Sequence, residues 1–193
     1  MSRLIILASS SPFRRELLLR LQLPFNVVAP DIDETPIVNE KPQATALRLA
    51  QLKARKVAET HKNALVIGCD QVATLDDLQI GKPGTHEIAF QQLQLLRGHK
   101  VTFHSAICLY NAESQQMQAE VVAYLVEFRQ LTDAQIENYL LKEQPYNCAG
   151  SAKSEGLGIA LIKSMEGSDP NALIGLPLIA LTDMLIKEGI SIV

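Results

Sequence analysis

Apolar positions switch between short unbroken runs and helical spacing, and the switches divide the chain into alternating strands and helices. Leu4-Ile5-Ile6-Leu7-Ala8 reads as a strand that runs into a serine turn. Ser11 before Pro12 is a strong helix start, because the hydroxyl caps free amides and proline's fixed φ suits the first helical position. Phe25 to Ala29 reads as a short strand ending at Pro30, followed by the acidic turn Asp31 to Pro36. From Pro42 to Thr60, Ala46, Leu49, Ala50, Val57 and Ala58 recur at helical spacing, with Arg48, Lys53, Arg55 and Lys56 on the other positions. Leu65 to Ala73 is a continuous apolar run broken by Asp70, the pattern of a buried central strand. Asp76-Asp77 marks a turn, and Ile80 to Thr85 a loop into a helix over His86 to Leu96 that ends at Gly98. Val101 to Tyr110 and Met117 to Phe128 read as a hairpin, and Thr132 starts a helix that stops before Pro145. After glycines between 150 and 158, Ile159 to Met165 reads as a strand and Pro177 to Lys187 as a closing helix. With hairpins and crossovers both present, and no repeat or linker, this pattern predicts one α/β domain, bilobal at most, with a mixed sheet.

Composition narrows the partners. The chain has 193 residues, enough for one substantial core, and 18 basic against 21 acidic residues give a net charge of −3. A long nucleic acid is therefore not the expected partner, whereas local Arg and Lys clusters suit a small anion. The apolar run after Arg3 is shorter than a signal core, and no stretch approaches a membrane span, so a cytoplasmic location without membrane contact is expected. Cys69, Cys108 and Cys148 are odd in number and widely spaced, which indicates neither a disulfide framework nor a zinc site. His61, His86, His99 and His104 lack metal-ligand spacing and read as surface or structural residues.

Candidate chemistry lies in a few segments. Arg14 and Arg15 stand in a first helical turn, where cations oppose the macrodipole, so an anion is expected there; a capped surface helix with paired arginines is the alternative. Asp70 is the sharpest signal, since a carboxylate inside an apolar strand is costly unless paired. It would bind a divalent ion, accept a proton from water, cap a strand end or pair with a lysine. Lys82, in the Gly-Lys-Pro loop, would reach phosphate or pair with Asp70, or be solvated. Asp31, Asp33, Glu34 and Lys53 are, taken singly, ordinary turn and helix-surface residues. Small residues from Cys148 to Gly158 permit close backbone approach to a ligand, without the order of a P-loop or dinucleotide turn.

Together, Ala8 to Leu18, Asp33-Glu34-Thr35, Lys53-Ala54, Gly68 to Gln71, Gly81-Lys82-Pro83, Gly150-Ser151 and Asp169-Pro170-Asn171 through Gly175-Leu176-Pro177-Leu178 resemble the Maf family in order and approximate spacing. The resemblance implies an inosine triphosphatase-like fold, with an elongated mixed sheet, flanking helices and a cleft between two lobes. It implies a nucleoside triphosphate pyrophosphatase that cleaves between the α- and β-phosphates with a divalent metal, Mg²⁺ or Mn²⁺. Carried onto this chain, Asp70 would be the proton acceptor that activates water. Ser11, Arg14, Lys53 and Lys82 would hold the triphosphate, and Glu34 would help Asp70 with metal or water. Phe13, Gln71 and Glu155 stand where the dTTP/UTP-cleaving subgroup typically has arginine, threonine and glutamine. This set resembles the 7-methyl-GTP pyrophosphatase subgroup, although that pattern has tryptophan in place of Phe13. An aromatic face attracts a cationic purine, and a glutamate accepts guanine's donor edge. Phe13 as a plain apolar contact and Gln71 as a structural hydrogen bond remain alternatives at the residue level. So do a pyrimidine-directed or broad-spectrum pyrophosphatase, a nucleotide-binding regulator of cell division, and either a monomer or a homodimer.

Overall fold

In the computed structural model, which describes residues 3–193, seven strands form one mixed sheet in the order β2-β1-β3-β5-β6-β7, with β4 paired to β3. The strands are β1 (Leu4–Ala8), β2 (Asn26–Val28), β3 (Ala64–Leu75), β4 (Leu78–Ile80), β5 (Lys100–Asn111), β6 (Gln116–Phe128) and β7 (Ile162–Gly167). The helices are α1 (Pro12–Leu19), α2 (Pro42–Ala58), α3 (His86–Leu96), α4 (Asp133–Glu143), α5 (Pro170–Ile174) and α6 (Leu178–Lys187). β1 pairs in parallel with β2 and β3, whereas β3–β4 and β6–β7 are antiparallel. The expected mixed α/β architecture is therefore present.

The chain divides into two compact units. The first contains the residues up to Gln71, Ser105–Val122 and Asp169–Val193. Its strands alternate in side-chain direction. Leu65, Ile67 and Cys69 of β3 join Ile5 and Leu7 of β1 in a core with Leu17 and Leu18 of α1 and Leu181 and Leu185 of α6. On the opposite face, a Cβ added to Gly68 would collide with the Ala50 carbonyl oxygen and approach Ala54 to 2.9 Å, so α2 lies directly against β3 there. The second unit contains Val72–His104 and Ala123–Ser168. Within it, α3 and α4 pack together. Thr85 caps α3, and Thr132 and Gln135 form a capping box on α4.

Three short elements differ from expectation. Asp76, at φ 51°, turns β3 into the short antiparallel β4, where only a turn and loop were expected. The strand expected over Ile159–Met165 begins later: Leu157–Leu161 is a 3₁₀ turn and β7 starts at Ile162. An apolar run this short has no decisive period, and the 3₁₀ turn buries Leu161 while leaving Ile159 exposed. α5 was not foreseen; its signals are local, an Asp169 cap and Pro170 at the first position.

Candidate active site

Asp70 is in the interior of β3, not at its end, and is only 7% exposed. It shares the face of Gly68, the face against α2, because residues two apart on a strand point the same way. Lys53, 5% exposed, is on the buried side of α2 between Ala50 and Ala54. Its Nζ donates to Asp70 Oδ1 at 2.6 Å and is 3.1 Å from Glu34 Oε1. Three residues from three separate motifs thus meet at one ammonium. The missing side chain of Gly68 permits this, since it sets the helix close enough for a lysine to cross to the strand.

Glu34 is on the irregular segment before α2 and is held through its neighbours. Thr35 donates from its backbone N–H and its hydroxyl to Asp33 Oδ1, at 2.9 and 2.6 Å. These bonds hold the Asp33 carboxyl below its usual range. Arg48 of α2 grips Glu40 through Nε and Nη2, both at 2.8 Å, and Thr45 Oγ1 adds a bond at 2.9 Å. This bidentate pairing pulls the Glu40 carboxyl down to about 2.

Ser11 caps α1 as expected, its hydroxyl accepting from the Arg14 N–H at 3.4 Å. Arg14 also finds partners within the protein: Nε donates to the Gly175 carbonyl at 2.9 Å and Nη1 to the Cys69 carbonyl at 3.0 Å. Gly175 is the C-cap of α5, so carbonyl oxygens partner a cation for which the sequence offered either an anion or nearby carboxylates. Two of the five guanidinium N–H groups are used in this way. Phe13 occupies the first turn of α1, next to the cap. Gln71 follows Asp70 on β3, and its Nε2 donates to Ser105 Oγ at 2.8 Å and to the Ala172 and Leu173 carbonyls at 2.9 Å. The two carbonyls can only accept, so the amide atom facing them is the nitrogen, whose two N–H groups are shared among the three neighbours. Sequence reasoning assigned no role to Asp169. It is 1% exposed, caps α5 and accepts from the Ile179 N–H at 2.8 Å, holding the α5–α6 junction.

Lys82 and Glu155 belong to the second unit. Lys82 is exposed in the loop after β4, beside Gly84, whose N–H donates to the Tyr146 carbonyl at 3.0 Å. Of the lysine pairings the sequence left open for Asp70, the one with Lys53 is formed, at 2.6 Å. Glu155 is exposed near the tip of the small-residue segment, in a turn closed by Gly156 N–H to the Lys153 carbonyl at 3.0 Å.

Among the described residues, no group of three or more His, Cys, Asp or Glu is arranged to hold a metal. The oxygen donors of Asp70 and Glu34 still match a hard cation, since Mg²⁺ commonly takes one or two carboxylates and completes its shell with water and substrate phosphate. No helix among those residues is long and apolar enough to cross a membrane.

The Maf-like protein family model matches residues 4–188. A 7-methyl-GTP pyrophosphatase of Methylobacillus flagellatus is 69% identical over 189 residues, covering 98% of this chain and 98% of that protein. Proteins of the same name from Nitrosospira multiformis and Cupriavidus metallidurans are each 60% identical, covering 98% and 96% of this chain and 96% and 93% of their own. Among solved structures, a HAM1 protein from Coxiella burnetii aligns at 19% identity and TM-score 0.48, over 67% of this chain and 75% of that one. With the family model spanning nearly every residue and relatives this similar along nearly their whole length, the chain belongs to the Maf-like protein family.

Proposed function

We propose that this protein is a nucleoside triphosphate pyrophosphatase that hydrolyses 7-methyl-GTP to 7-methyl-GMP and diphosphate in the cytoplasm. The observation that carries the chemistry is the buried Asp70, fixed by Lys53 at 2.6 Å within an otherwise apolar strand. The base preference rests on relatives of that name at 60–69% identity.

In this reading the Asp70 carboxylate accepts the proton of a water whose oxygen attacks the α-phosphorus. The bond from that phosphorus to the bridging oxygen breaks, and diphosphate leaves. Lys53 orients the carboxylate and, with Ser11, Arg14 and Lys82, holds the triphosphate. Asp70 and Glu34 would hold Mg²⁺ or Mn²⁺, which supplies charge neutralisation at the phosphates. Preorganised charge of this kind is the main contribution an enzyme makes to such a reaction. Phe13 offers its ring to the cationic purine, Glu155 accepts from the guanine edge, and Gln71 contributes its amide oxygen while its nitrogen holds α5.

The test is diphosphate release with Mg²⁺ or Mn²⁺ from 7-methyl-GTP, GTP, UTP, dTTP and CTP, with and without EDTA. The expected result is preference for 7-methyl-GTP, loss of release in EDTA, and a folded Asp70→Asn variant with almost no turnover. Near-normal turnover by Asp70→Asn overturns the proton acceptor. Pyrimidine preference overturns the base pocket, and nucleotide binding without turnover returns the regulator.

A further inference from the structure

One carboxylate fastens both ends of the turn that carries Glu155. Glu143, in the last turn of α4, has a side chain only 13% exposed. Its Oε1 accepts from Lys153 Nζ at 2.9 Å, and its Oε2 accepts from the Leu157 backbone N–H at 2.7 Å. Lys153 is the first residue of the turn closed by Gly156, and Leu157 is the residue after it, so Glu155 lies between the two anchor points. One turn earlier on the same face of α4, the Tyr139 hydroxyl accepts from the Lys153 backbone N–H at 3.1 Å.

Glycine makes this fit possible. A Cβ on Gly156 would stand 2.8 and 2.9 Å from the two Glu143 carboxylate oxygens, and one on Gly158 would stand 2.5 to 2.7 Å from Lys153 backbone atoms. Tyr139, Lys142, Leu157 and Leu161 border a cavity of about 260 Å³, so on that side Leu157 faces open space. A carboxylate at a helix C-terminus also opposes the macrodipole, which calls for a local compensation that Lys153 provides. Lys153 and the Leu157 N–H hold the Glu143 carboxyl below its ordinary range, so it is ionised at neutral pH.

We infer that Glu143 is a positioning residue for base recognition: it touches no substrate, and it sets Glu155 where that carboxylate meets the donor edge of the purine. The inference rests on the reading of Glu155 given above.

The experiment measures KM and kcat for 7-methyl-GTP in the full-length protein and in Glu155→Gln, Glu143→Ala and the double variant. Losing a hydrogen bond to a charged group raises KM by about tenfold or more. Glu155→Gln and Glu143→Ala are each expected to do so with kcat at saturation nearly unchanged. The double variant is expected to match Glu155→Gln alone, because the effect of Glu143 passes through Glu155. Glu143→Gln, which keeps an oxygen for the Leu157 N–H, should recover part of the loss. If Glu143→Ala does not fold, Gly156→Ala displaces the same carboxylate and should raise KM in the same way. A rise for Glu155→Gln with none for Glu143→Ala or Gly156→Ala overturns the positioning role alone. Multiplying effects in the double variant do so too, as expected of a general structural role. An unchanged KM in Glu155→Gln overturns the reading of Glu155 and the inference with it.

Discussion

Lys53 joins two carboxylates from separate segments, and its removal leaves one of them buried. Asp70 would then keep its place in β3 without a counter-charge, and breaking a buried pair from one side costs about 3–5 kcal/mol. Lys53→Met should therefore lower stability by that order in urea melts, and adding Asp70→Asn should return much of it. If the single variant melts like the wild type, the pair is not a stabilising one. Glu40 makes a different kind of pair, half-buried and bidentate, and its carboxyl is drawn from 4.5 to about 2 in the folded protein. A depressed carboxyl stabilises fully above its unfolded value, and that contribution fades as pH falls through the folded value. The difference in urea midpoint between wild type and Glu40→Gln should accordingly be constant above pH 5 and shrink from about pH 4.5 towards pH 2. A difference independent of pH would contradict the Arg48 clamp.

At the scale of elements, segments marked by an apolar run or a helical period were legible, and some brief ones without such marks were not. Leu4–Ala8, the Ser11 cap and His86–Leu96 fall where the pattern of apolar residues and caps predicts. β4 and α5 are too brief to show a period, and the 3₁₀ turn at Leu157–Leu161 looks like a strand because its run is apolar. The carboxylate on β3 was legible from its apolar surroundings, but its partner was not. Lys53 and Asp70 are 17 residues apart, and only the contact at Gly68 reveals that α2 and β3 meet there. Glu143 carries a weaker mark, an acid in the last turn of a helix, which does not reveal its partners Lys153 and Leu157. Gly68→Ala tests the importance of that contact. Because the added methyl meets backbone on α2, over-packing should cost about 1–3 kcal/mol. It should also lower kcat by separating Lys53 from Asp70. Wild-type stability and turnover in Gly68→Ala would mean that the helix adjusts without moving the lysine.

For the molecule as a whole, the family was legible because its motifs recur in order along almost the entire chain, although each is weak alone. If base preference is carried by Phe13 and Glu155 as proposed, the double variant Phe13→Arg with Glu155→Gln should shift diphosphate release from 7-methyl-GTP towards UTP and dTTP. Unchanged selectivity would place the discrimination elsewhere. Gln71 is set apart from those two by its bonds to Ala172 and Leu173. Threonine, the residue the resemblance implies for a pyrimidine-directed pocket, is too short to reach both carbonyls of α5. Gln71→Thr should therefore loosen α5, whatever it does to substrate choice. Substitutions at positions 13 or 155 leave those two bonds in place, so under the proposed pocket the cost of an exchange at each position depends on whether it also holds α5.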